Sequence, residues 1–114
     1  MDATRLNVRF FRSSAGREPV REWLVELSRE ARRSIGVEIK TMQLGWPLGM
    51  PVVRKIERGL WEVRIRLGDA SARVFFTVVG DDMVLLHGFI KKSQKTPKSD
   101  LEVAIRRRNE VANG

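Results

Sequence analysis

Residues 61–67 read Trp-Glu-Val-Arg-Ile-Arg-Leu, apolar at every odd position and charged at every even one. Alternation this strict describes a half-buried strand, because successive side chains of an extended chain point to opposite faces. It also sets two faces in advance. Trp61, Val63, Ile65 and Leu67 turn toward a core, and Glu62, Arg64 and Arg66 turn away from it. Turn residues flank the strand, with Arg58-Gly59 before it and Gly68-Asp69-Ala70-Ser71 after it. A strand over 73–79, a turn at Gly80-Asp81-Asp82 and a strand over 83–90 follow, and 52–56 forms a short strand ahead. Strands joined by so few residues are antiparallel neighbours.

The first half has a different period. Leu6-Asn-Val-Arg-Phe-Phe11 is β-prone, with Leu6, Val8 and Phe10 on one face. After the break at Ser13-Ser14-Ala15-Gly16, Pro19 suits the first turn of a helix over 18–27, in which Val20, Trp23, Leu24 and Leu27 recur at helical spacing. Ser28 suits the N-cap of a second helix with the stripe Ala31, Ile35, Ile39 and Met42, ended by Gly45 and Pro47. In the tail, Ser99 and Glu102 have capping-box spacing, and Leu101, Ile105 and Val111 form one face of a last helix. The expectation is one domain over 1–114, of class α+β: an antiparallel sheet of four to five strands, an N-terminal helical hairpin packed on one face, and a C-terminal helix.

Composition narrows the function. With no cysteine and a single histidine, His87, disulfides, thiolate chemistry and multi-imidazole metal centres are excluded. There is no apolar run long enough for a membrane helix, and Met-Asp-Ala-Thr-Arg lacks the apolar stretch of a secretory signal, so a cytoplasmic protein without a membrane partner is expected. The 22 Lys and Arg against 14 Asp and Glu give a net charge of +8. That excess favours a polyanionic partner, although a basic surface kept for solubility is the plainer reading. Arginine outnumbers lysine 16 to 6, which suits bidentate phosphate contacts.

Carrying the alternation onto the next strand places Val74, Phe76 and Val78 on the buried side and Arg73, Phe75 and Thr77 with the arginines. Arg64, Arg66 and Arg73 then converge on one open face, with Lys91 and Lys92 at the end of the last strand and Lys95 and Lys98 beyond. Lys55 and Arg58 form the opposite rim. Residues 52–98 hold ten Lys or Arg against five acids. Half-exposed strands also carry arginine simply because that face is wet. His87 lies in an apolar strand whose period leaves its face open, and a lone strand histidine is more often structural than catalytic. Trp23, Trp46 and Trp61 read as packing residues. The glycines form neither a phosphate loop nor a dinucleotide fingerprint.

Three segments together resemble a known family: Gly59-Leu-Trp-Glu-Val-Arg64, Ala72-Arg-Val-Phe-Phe76, and Leu85-Leu-His-Gly-Phe-Ile-Lys-Lys-Ser-Gln-Lys-Thr-Pro97, followed by Ala104. In this order they are similar to RelE/HigB-type toxins of type II toxin–antitoxin modules, in the phage-derived, HigB-like branch. The resemblance covers nearly the whole chain, and the Phe-Ile-Lys-Lys-Ser-Gln-Lys-Thr-Pro run is its specific part. It implies a metal-independent, cofactor-free endoribonuclease cutting ribosome-bound messenger RNA to a 2′,3′-cyclic phosphate. It further implies a helix-turn-helix, HigA-like antitoxin, with operator DNA bound only through the complex. Carried over by position, Arg64 and Arg73 clamp the phosphate, Lys91 and Lys92 hold it or protonate the leaving group, and Arg66 is a weaker companion. Lys55, Arg58, Lys95 and Lys98 position RNA.

One departure stands out. Many such toxins use a tyrosine near the C-terminus, and this chain has none. His87 or a lysine would take the proton-transfer role. Two other classes remain open: a ParE-like inhibitor that binds gyrase, and a non-catalytic nucleic-acid or antitoxin-binding module.

Overall fold

A computed structural model describes residues 6–46, 53–92 and 96–113. Five strands form one sheet in the order β1-β5-β4-β3-β2, from β1 (Asn7–Phe10), β2 (Val53–Glu57), β3 (Leu60–Leu67), β4 (Ala70–Val79) and β5 (Asp82–Lys91). The helices are α1 (Pro19–Glu26), α2 (Arg29–Gly45) and α3 (Lys98–Asn113). This is the expected α+β architecture with two refinements. The pairings β2–β3, β3–β4 and β4–β5 are antiparallel, but β1 runs parallel to β5, so the sheet is mixed. The helices also do not share a side: α1 and α2 cover one face, and α3 packs on the other.

Local chemistry explains the helical hairpin. Pro19 occupies the first turn of α1. The Ser28 hydroxyl accepts the Ala31 amide at 3.1 Å, capping α2 as its sequence suggests. Arg32 Nη1 donates to the carbonyls of Leu24, Val25 and Leu27, which satisfies acceptors that the end of α1 leaves open. Ile35, Ile39 and Met42 turn the α2 stripe onto the sheet. Pro47 and Val52 lie outside the described residues. The Ser99–Glu102 spacing does not mark the helix start, because α3 begins one residue earlier, with the Asp100 and Leu101 amides donating to Pro97 O.

Two cores result. The hairpin side unites Val20, Ile35, Ile39 and Met42 with Val63, Ile65, Val74 and Phe76. Trp46 meets Trp61 edge-on at 5.0 Å, so the tryptophans pack as expected. The α3 side unites Leu60, Phe75, Val84, Leu86 and Ala104, with Leu101, Ile105 and Val111 against them. Buried on both faces, β4 and β5 therefore read as continuous apolar runs, whereas β3 keeps its alternation.

A bulge on β5 changes its parity. Phe75 faces His87 but Phe76 faces Leu85, so Leu86 is the extra residue. Met83 and Leu85 look toward the hairpin before the bulge; after it the residues on that side are Gly88 and Ile90, and His87, Phe89 and Lys91 turn to the α3 side. Gly88 lies beneath the indole of Trp23, where a Cβ would come within 2.3 Å of the ring. Only glycine fits there.

Candidate functional site

The register sets out the basic face in three rows. Arg64 on β3 is directly opposite Arg73 on β4, which is opposite Phe89 on β5. Arg66, Ser71 and Lys91 form the next row. On the other side lie Arg54, Glu62, Phe75 and His87. Arg64, Arg66 and Arg73 are thus on one face, as the alternation predicts, and the register adds Lys91 to it. That face is open only in part, because α3 covers Phe75, and Thr77 is buried as well.

Arg73 is buried, and its Nη1 donates to Glu62 Oε1 at 3.1 Å. The same oxygen accepts Arg54 Nη2 at 3.3 Å, and Glu62 Oε2 accepts the Thr96 hydroxyl at 3.3 Å. Among the described residues Arg73 Nε has no partner. Lys91 has its pKa lowered from 10.5, first by loss of hydration and then by the charges of Arg73, Arg54 and Arg64, with Glu62 opposing them. An ammonium poised in this way gives up its proton more readily than an ordinary lysine.

His87 belongs to a second network. Its Nε2 lies 2.6 Å from Asp100 Oδ1, and its Nδ1 lies 3.5 Å from Arg107 Nη1, which also donates to Leu86 O. The ring is nearly parallel to those of Phe75 and Phe89, about 6 Å from each. Its hydrogen bonds point to α3 and not to Arg64, Arg73 or Lys91.

The remaining sequence candidates are dispersed. Lys55 is paired with Trp61, which places it on the hairpin side of the sheet and away from the arginines. Arg58 lies in the turn at the far end of β3, where its carbonyl accepts Arg108 Nη1. Lys92 and Lys98 are exposed on either side of the β5–α3 connection, and Lys95 lies outside the described residues. Sequence reasoning assigned no role to Arg54, Glu62, Thr96 or Asp100. The alternation did place Glu62 among the arginines; an acid in that company was the available signal. Among the described residues no three potential metal-ligating side chains converge.

A mixed sheet carrying a helical hairpin on one face and a C-terminal helix on the other, with arginines clustered on that second face, has the RelE-like architecture. The chain belongs to the phage-derived Gp49-like family (DUF891), whose sequence model matches residues 22–109. That family is associated with RelE-like toxins, which implies an antitoxin partner. Nothing among curated proteins matches the chain. No helix among the described residues is long and apolar enough to cross a membrane.

Proposed function

We propose that the chain is the toxin of a type II toxin–antitoxin module: a metal-independent endoribonuclease that cuts ribosome-bound messenger RNA and is neutralised by a helix-turn-helix antitoxin. The observation that carries this reading is the direct cross-strand opposition of Arg64 and Arg73 beside Lys91. Like charges placed opposite each other destabilise a sheet; Glu62 answers Arg73 within the fold, and the exposed Arg64 beside it supports an external anion as the further partner. A phosphodiester has the right charge and oxygen geometry for guanidinium forks.

The chemistry follows from those groups. The ribose 2′-oxygen attacks the adjacent phosphorus, its proton passes to solvent water, and the bond to the 5′-oxygen breaks. Arg64 and Arg73 neutralise charge on the equatorial oxygens of the phosphorane, where fixed donors contribute most. Lys91, with its depressed pKa, returns a proton to the departing 5′-oxygen. The products are a 2′,3′-cyclic phosphate and a free 5′-hydroxyl. Lys92, Lys98 and Arg66 hold the flanking backbone. The ribosome contributes alignment, which by itself supplies several kcal/mol.

The test is controlled expression in a bacterial host with mapping of RNA 5′ ends. Cuts inside translated messages that vanish when translation is blocked are expected. Growth arrest with intact messages would favour a gyrase-directed toxin, and no arrest would favour a binding module. Arg73→Ala is expected to abolish arrest while antitoxin binding persists.

A further inference from the structure

Glu62 is an acid set among cations, and only 2% of it is exposed. A carboxylate buried this deeply is costly to desolvate unless it is fully partnered. Here it is: Arg73 and Arg54 share Oε1, and Thr96 takes Oε2. Those three donors also leave no oxygen aimed at solvent, so Glu62 is badly placed to take a proton from a substrate hydroxyl. Its effect is on its neighbours. A single oxygen bridging two guanidiniums fixes both forks relative to each other, although Arg54 is otherwise 66% exposed and would sample many rotamers. Around this one negative charge stand Arg54, Arg64, Arg73 and Lys91, so the cluster keeps a large positive surplus at its open end.

We infer that Glu62 is a positioning residue that holds Arg54 and Arg73 as paired clamps, and that Arg54 is a further phosphate-binding residue at this site. The inference rests on the endoribonuclease reading for the identity of the phosphate, but not for the Glu62 geometry. Two forks braced by one carboxylate meet different oxygens of a phosphorane without reorganising as its charge develops. Arg54 reaches the phosphate from β2, across Glu62 from Arg73.

Cleavage kinetics on programmed ribosomes, together with arginine side-chain NMR of the free protein, test this. Glu62→Gln keeps the shape and removes the charge. It is expected to lower kcat by roughly ten- to hundredfold, the loss seen when a group orienting a reactive side chain is removed, with KM little changed. Arg54→Ala is expected to raise KM and to reduce the salt slope of RNA binding by about 0.7, one phosphate contact to a single strand. Arg54→Lys should restore the slope but not the full affinity, because an ammonium has no fork. If Glu62→Gln does not fold, Thr96→Val, which removes one donor to the carboxylate, is expected to lower kcat about fivefold. A folded Glu62→Gln, or failing that Thr96→Val, with wild-type kcat would overturn the positioning role; an unchanged salt slope in Arg54→Ala would overturn the Arg54 contact. If the wild-type protein cuts no RNA, the endoribonuclease reading fails and NMR decides the rest. Hindered guanidinium rotation of Arg54 and Arg73, released by Glu62→Gln or weakened by Thr96→Val, sustains the positioning role, and free rotation in the wild type overturns it.

Discussion

The Asp100 carboxylate, in the first turn of α3, lies 2.6 Å from the His87 ring on β5 and joins the helix to the sheet at the edge of the basic face. Burial holds the His87 pKa below its ordinary 6.5; Asp100 raises it, while Arg107 and Arg106 lower it. The folded protein therefore binds this proton less readily than the unfolded chain. Stability from this group is complete above 6.5 and is lost as the pH falls from there toward the depressed folded value. Urea midpoints measured across that interval should drop on acidification, and His87→Gln should flatten the response. A wild-type midpoint indifferent to pH below 6.5 would contradict the assignment.

Gly88→Ala places a methyl group 2.3 Å from the Trp23 indole. Overpacking against a ring held by the core is expected to cost about 3 kcal/mol. Trp23→Leu in the same chain should recover part of that loss, giving a favourable coupling in a double-mutant cycle. Simple additivity of the two changes would show that the ring moves aside.

Arg64→Ala separates stability from function. Arg64 is exposed and faces Arg73, so its removal relieves a like-charge contact and should leave stability unchanged or raise it by about 0.3 kcal/mol. Cleavage should fall by about a hundredfold or more, as expected when a preorganised charge is taken from a transition state. A thermal melt and a single-turnover assay on the same preparation read both.

Ser28→Ala removes the α2 cap on the hairpin side of the sheet, opposite the face that carries Arg64 and Arg73, although Ser28 shares a shallow pocket with Arg66. It should lower stability by about 1 kcal/mol, read by chemical denaturation, and leave RNA cleavage at the wild-type rate. An altered rate would mean that the hairpin side contributes to the site.

The strands and their faces were legible wherever one side of the sheet met solvent. β3 shows this best: its alternation predicted the Trp61 and Arg64 faces, and the same alternation carried onto β4 put Arg73 on the Arg64 face, where the register has it. Legibility failed for β5, because burial on both sides removes the polar partner from the pattern and the extra residue at Leu86 reverses parity midway. His87 could not be assigned a face for that reason. The parallel pairing of β1 was also hidden, since β1 and β5 are joined only through long-range contacts. In the candidate site, cations were readable from charge and spacing. The bridging role of Glu62 was not, because it depends on a diagonal reach to Arg73 and on Thr96, which is 34 positions away in the chain.

Asn7 and Asp82, hydrogen-bonded neighbours in the folded sheet, are 75 positions apart in the chain. During synthesis the first strand therefore has no neighbour until most of the polypeptide has emerged, and the layer between the two cores closes late. A product terminated before β5 lacks the strand that both cores share, and it also lacks Lys91. Chains that end before β5 thus lack the completed basic cluster, so the order of translation itself delays that cluster until β5 has been made.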